Sequence, residues 1–268
     1  MNKTAIITGS SNGIGKATAE LLCSKGYNVI GLSRSYSDLL LKNQQGYYEL
    51  RCDVTDSQHV ENAILEISKE FINIDVLINC AGSGIFGVIE DISNEDVVRQ
   101  LNIGILGYMF PIKSVLPIMT KQRSGHIINV TAAGARQYLP ALPFYFAAKN
   151  AIDYLSHELR REVASFGIHL SVLEAGPVKT KFGKNMKRVT SDKIEYINYL
   201  EFANSWYRSL FLKRAVEPEV AAMAIYKLLK TKKYKLYTAW QDKLLNVLNK
   251  ILPYHLSDLI VKNKLYDR

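Results

Sequence analysis

The sequence of 268 residues contains only three cysteines, Cys23, Cys52 and Cys80, far apart along the chain. They are too few and too scattered for a disulfide framework or a metal site, and a reducing compartment is expected. No run of about 18 apolar residues occurs, so no bilayer-spanning helix is expected. Internal repeats, low-complexity linkers and recognised nucleic-acid modules are all missing, which argues against a nucleic-acid partner. At the N-terminus an apolar run at 4–8 begins almost at once, where a signal peptide would need a charged region and a longer apolar one. A cytoplasmic protein is the expectation.

Acidic residues are scarce in one region only. Residues 1–178 hold 15 Lys+Arg against 17 Asp+Glu, a balance of −2. Residues 179–268 hold 19 against 8, a balance of +11, so the whole excess behind the net +9 lies in the last third. Such asymmetry marks either a solvated basic surface or one that meets an anionic membrane or ligand. The 48% hydrophobic and 22% charged content is ordinary for a globular protein and sufficient for one sizeable core.

Against those absences stands a regular alternation. Apolar, β-rich runs at 5–8, 28–32, 47–52, 76–79, 127–131 and 168–174 are interleaved with helical patterns at 14–24, 58–71 and 144–166. Near-continuous apolar strands of this kind predict an α/β domain: a Rossmann-like, doubly wound parallel sheet covered on both faces, one domain over 1–268. The segment 179–214 has no clear strand and mixes basic residues with Phe182, Met186, Tyr196, Tyr199, Phe202, Trp206 and Phe211. A helix at 217–229 and a last strand at 235–238 are expected after it. In the tail, 240–268, Leu244, Leu245, Val247, Leu248, Ile251 and Leu252 follow the spacing of one helix face, until Pro253 breaks it.

Between the first strand and first helix lies Thr8-Gly9-Ser10-Ser11-Asn12-Gly13-Ile14-Gly15. Glycines there permit a tight turn and let backbone N–H groups approach a pyrophosphate at the positive end of a helix. The spacing is Gly-x-x-x-Gly-x-Gly, and Thr-Gly-x-x-x-Gly-Ile-Gly resembles the short-chain dehydrogenase/reductase family. Four more motifs follow in that family's order: Asp53-Val54-Thr55-Asp56, Asn79-Cys80-Ala81-Gly82, Tyr145-Phe146-Ala147-Ala148-Lys149 and Ala175-Gly176-Pro177-Val178-Lys179-Thr180. Cys80 and Ala175 replace the family's usual residues, and the resemblance runs from Thr4 to about Thr180. It implies a nicotinamide dinucleotide held by Gly9, Ser11, Asn12, Gly13, Ile14, Gly15, Arg34, Asp53, Val54, Asn79, Ala81, Gly82, Tyr145, Lys149, Val178 and Thr180. At the end of the second strand stand Ser33 and Arg34, not the carboxylate that would accept the ribose hydroxyls of NAD. A guanidinium suits a 2′-phosphate, so NADP(H) is favoured over NAD(H), the alternative being a merely solvated Arg34.

Tyr145 and Lys149 are four apart, on one helix face if the helix forms. An ammonium beside a phenol stabilises the phenolate, and the phenol then exchanges a proton with a carbonyl oxygen as hydride moves. Spacing alone is weak, since Tyr226 and Lys230 repeat it outside any such context. The resemblance implies a third, substrate-orienting hydroxyl, assigned to Thr131 in Asn129-Val130-Thr131-Ala132-Ala133-Gly134. It also implies an asparagine three residues before a glycine. Counting back from Gly107 reaches Gly104, and Asn102 falls two residues early, on another helix face by this count. The expected function is hydride transfer between NADP(H) and an apolar carbonyl or alcohol under a 179–214 lid. The alternative is a cofactor-binding regulatory or scaffold protein with little turnover. A homo-oligomer, dimer or tetramer, is expected. The tail is expected either to pack on protein or to touch a membrane peripherally.

Overall fold

The computed structural model describes residues 2–44, 46–133, 140–239 and 241–244. The apolar tail positions from Leu245 onward, with Pro253, lie outside the described residues, as does Gly134. The expected strands form as β1 (Thr4–Thr8), β2 (Asn28–Ser33), β4 (Tyr47–Arg51), β5 (Val76–Asn79), β7 (Gly125–Ala132), β8 (Ile168–Ala175) and β10 (Lys235–Tyr237). The helices that alternate with them are α1 (Gly13–Ser24), α2 (Ser57–Glu70), α3 (Asn94–Leu101), α4 (Gly107–Gln122), α5 (Pro143–Glu162) and α8 (Pro218–Thr231). With β3 (Leu41–Gln44) at one edge, the sheet runs β10-β8-β7-β5-β1-β2-β4-β3, and every neighbouring pair is parallel except the last.

That exception, β3 (Leu41–Gln44), pairs antiparallel with β4 and was not expected. Its sequence, Leu-Lys-Asn-Gln, has no apolar run, and its Leu41, Lys42 and Asn43 are exposed at the sheet edge, where none is needed. The central strands are buried on both faces. Ile6, Ile30, Leu77 and Ile127 point to a layer made by α2 and α4, through Val60, Ile64, Ile67, Ile112, Val115 and Met119. Ala5, Ile7, Val29 and Ile78 point the other way, to Leu22 of α1 and Ile225 and Leu228 of α8. Both layers are therefore served by the same strands, as the continuous apolar runs require.

A π-helical turn, Asn102–Leu106, joins α3 to α4. The continuous helical stretch Asn94–Gln122 meets the length and composition of a membrane span. Its Tyr108, Ile112, Val115 and Met119 are fully buried against the sheet, the signature of a core helix. The segment after β8 contains α6 (Phe182–Asn185), a two-residue β9 (Lys187–Arg188) paired with β6 (Ile85–Phe86), and the long α7 (Ile194–Arg214). No strand was expected there, and a two-residue pairing is too short to leave a pattern in the sequence.

Candidate active site

Chain order reverses at β1, which has β2 on one side and β5 on the other. Loops leaving the strand ends diverge at such a point, and α/β sheets bind ligands there. A cavity of about 1390 Å³ occupies it, lined by residues that follow β1, β2, β4, β5, β7 and β8. Typical single-ligand pockets span roughly 300–1,000 Å³, so the cavity has room for a dinucleotide with a second molecule beside it. Thr131, Tyr145, Lys149 and every residue expected to hold the dinucleotide line it, Asn79 excepted.

Asn79 is fully buried beneath the cavity instead. Its amide donates to Asn129 Oδ1 (2.9 Å) and to the Tyr108 carbonyl (3.4 Å). Asn129 donates in turn to Ser156 Oγ (2.9 Å), which ties β5 and β7 to α5. The residue thus supports the site from below and does not line it.

In the first half of the cavity, the turn after β1 closes only with glycine. Gly9 has φ +69°, and a Cβ there would lie 2.8 Å from the Ala81 backbone. A Cβ on Gly15 would lie 2.4 Å from the Gly9 carbonyl oxygen. Thr8 Oγ1 accepts from the amides of Cys80 (3.1 Å) and Ala81 (3.2 Å), which locks the β1 and β5 loops together. At the N-terminus of α1, Asn12 makes no side-chain cap and the first turn has no acidic residue. Its first amides and the positive helix end therefore suit an anionic group such as a pyrophosphate. Ser33 Oγ donates to Ser11 Oγ (2.9 Å), and exposed Arg34 lies beside them on the rim. Burial pushes the Asp53 carboxyl up, but hydrogen bonds from the Thr55 amide and hydroxyl, with Arg34 and His59, outweigh it and hold it below the usual range.

In the second half, α5 presents Tyr145 and Lys149 one turn apart. Burial drives the Tyr145 phenol well above its ordinary value, keeping it protonated. Lys149 Nζ donates to Tyr108 Oη (2.6 Å) and to the Val130 carbonyl (3.1 Å) and lies 5.8 Å from the Tyr145 ring centre. Burial draws Lys149 down to about 8, with Cys80 pulling the other way. The Cys80 thiol is itself pushed up to about 12 by burial. Thr131, 3% exposed, has a buried Oγ1 that meets no hydrogen-bond partner among the described residues. An unsatisfied hydroxyl of this kind costs about 1–3 kcal/mol, and in a cavity wall it suits a ligand oxygen.

The helical count misplaced Asn102. It lines the cavity with Ile103, because the π turn departs from the α-helical period on which the count relied. Gly104 is buried instead, and a Cβ there would lie 2.6 Å from the Ala148 Cβ on α5. A side chain at 104 would fit only if α5 shifted. Tyr108 was not among the expected site residues; its signal in the sequence is a phenol among Ile112, Val115 and Met119 on an otherwise apolar helix face.

The lid residues divide into two groups. Tyr199, Leu200 and Ala203 pack α7 against Ala141 and Leu142, and Tyr199 Oη accepts from the Ala141 amide (3.2 Å). Phe182, Met186 and Tyr207 line the cavity with Phe86, Leu142 and Phe146, and the Phe182 ring lies 5.2 Å from that of Tyr145. The apolar lid content therefore both packs and lines.

Comparison with known proteins agrees with this geometry. The family described as short chain dehydrogenase matches residues 3–190. An oxidoreductase of Botryotinia fuckeliana, BOA17, is 35% identical over 230 residues, covering 84% of each chain. A 3-ketodihydrosphingosine reductase of Bacteroides thetaiotaomicron is 37% identical over 207 residues, 76% of this chain and 73% of its own. Among solved structures, a short-chain dehydrogenase of Streptomyces avermitilis superposes with TM-score 0.82 at 25% identity, over 99% of this chain and 96% of that one. One of Burkholderia phymatum in complex with NAD superposes with TM-score 0.80 at 20% identity over 92% of each. With the glycine turn, the Tyr145–Lys149 pair and the sheet order in place, the chain belongs to the short chain dehydrogenase family and is an NAD(P)-dependent oxidoreductase.

Proposed function

We propose that the enzyme reduces an apolar ketone or aldehyde with NADPH, with Tyr145 as the proton donor, Lys149 as its electrostatic partner and Thr131 as the group that orients the carbonyl. The observation that carries this reading is the single cavity joining the glycine turn to Tyr145 and Thr131, with Phe86, Leu142, Phe146, Phe182, Met186 and Tyr207 as its walls. A bound nicotinamide supplies the hydride. Thr131 Oγ donates a hydrogen bond to the substrate oxygen, a partner it lacks among the described residues. Tyr145 Oη gives that oxygen its proton, and the Lys149 ammonium stabilises the phenolate left behind. Burial keeps the Tyr145 proton in place until a basic oxygen forms next to it. A relative named for reducing 3-ketodihydrosphingosine supports a ketone as substrate.

The preference for NADPH rests on Ser11, Ser33 and Arg34. Their hydroxyls and guanidinium gather at the end of β2, where a ribose 2′-phosphate would meet them. Purified protein with NADPH and a panel of apolar ketones and aldehydes tests the whole reading. Turnover in the wild type that disappears in Tyr145→Phe supports it. Tight NADPH binding without turnover across the panel overturns it and favours a cofactor-binding scaffold.

A further inference from the structure

Lys149 sits in a cage made by four elements. Tyr145 approaches from its own helix, Tyr108 from α4, the Val130 carbonyl from β7, and Cys80 with Gly82 from the loop after β5. Two of its N–H groups are committed, one to Tyr108 Oη at 2.6 Å and one to Val130 O at 3.1 Å. Tyr108 is fully buried, and its own hydroxyl proton goes to the same Val130 carbonyl at 2.7 Å. With its proton spent there, the phenol oxygen can only accept from Lys149. Its ring adds a second attraction, since Nζ lies 4.5 Å from the ring centre.

We propose that Tyr108 is a positioning residue for Lys149, a hydrogen-bond acceptor that fixes the ammonium in the core and keeps it charged. Burial favours loss of the lysine proton, and a fixed acceptor opposes that loss, because a charged donor gains more from it than a neutral amine does. Burial holds Tyr108 itself well above its ordinary value, so it stays a neutral phenol and brings no competing charge. The two fixed bonds leave the third N–H of Lys149 for the cavity. A side chain at 104 would press on Ala148 of α5, and the support for Lys149 comes instead from Tyr108, four residues further along in the first turn of α4. The catalytic meaning of this device rests on the proposed role of Lys149, but the device is measurable without turnover.

The test follows the side-chain Hε–Cε signals of lysine in full-length protein grown with 13C-lysine, titrated from pH 6 to 11. The Lys149 signal is identified by its loss in Lys149→Arg. Tyr108→Phe keeps the ring and removes the acceptor, and the Lys149 midpoint is expected to fall by about one pH unit. Incorporating 4-fluorophenylalanine at 108 fills the hydroxyl's volume, removes the donor to Val130 and is expected to give a similar fall, which covers a Tyr108→Phe protein that folds poorly. Ile112→Ala, on the same helix face, is expected to lower Tm and leave the midpoint in place. An unchanged midpoint in both position-108 proteins overturns the proposal, as does an equal fall in Ile112→Ala. Full turnover in Lys149→Ala would overturn the proposed role of Lys149 while leaving the titration result to stand.

Discussion

At the scale of residues, the site sets along one cavity a phenol held protonated, a lysine drawn down by burial to about 8 and a hydroxyl without a partner among the described residues. Thr131→Ser keeps the hydroxyl and is expected to retain most of kcat. Thr131→Val keeps the shape and is expected to lose about two to three orders of magnitude in kcat, the scale for losing one preorganised donor at a developing oxyanion. Steady-state kinetics on any accepted ketone checks both. Arg34→Ala is expected to raise the KM for NADPH about tenfold, the worth of one charge-assisted contact, and to move the KM for NADH far less. Much of this was legible in the sequence, because glycine turns and tyrosine–lysine pairs are local patterns with local causes. Asn79 shows the limit. Its motif is local, but which way its amide turns depends on Asn129, fifty residues away.

At the scale of elements, the π turn Asn102–Leu106 decides where the helices on either side of it aim. It places Asn102 on the cavity and Gly104 against Ala148. A helical count assumes a constant period, so the sequence alone could not find this. Gly104→Asn, which installs the family's residue at its register position, is therefore expected to destabilise the protein by about 1–3 kcal/mol, the usual scale for overpacking. Urea unfolding of the two proteins measures the difference. An equally stable Gly104→Asn protein would mean that α5 yields readily to the added side chain. The antiparallel β3 was illegible for a different reason: its Leu41, Lys42 and Asn43 are exposed, and burial is what writes a strand into a sequence.

At the scale of the whole molecule, the fold carries its own acid sensor. His126 on β7 is buried, and burial, with nearby His169, draws it from its ordinary value down to about 4. Ser171 Oγ gives its proton to the Lys233 carbonyl (2.6 Å), so His126 Nε2 donates to Ser171 (2.8 Å). A histidine whose folded value is depressed binds its proton more readily when unfolded. Its contribution is intact above pH 6.5 and falls as pH drops from there toward 4, by up to about 3 kcal/mol at the lower end. Tm measured from pH 7.5 to 4 is expected to fall through that window, and His126→Gln is expected to flatten the fall.

Two features of the cavity bear on how long the enzyme survives, apart from how fast it works. The first turn of α1, which has no side-chain cap, and the Thr131 hydroxyl, unpartnered among the described residues, are deficits that substances entering the cavity can make good. Whatever binds the folded chain and not the unfolded one adds RT ln(1 + [L]/Kd) to its stability, about 2.7 kcal/mol at a hundredfold excess over Kd. Supply of dinucleotide would then govern the lifetime of the protein against heat and proteases, and a cell short of the coenzyme would also run short of the enzyme.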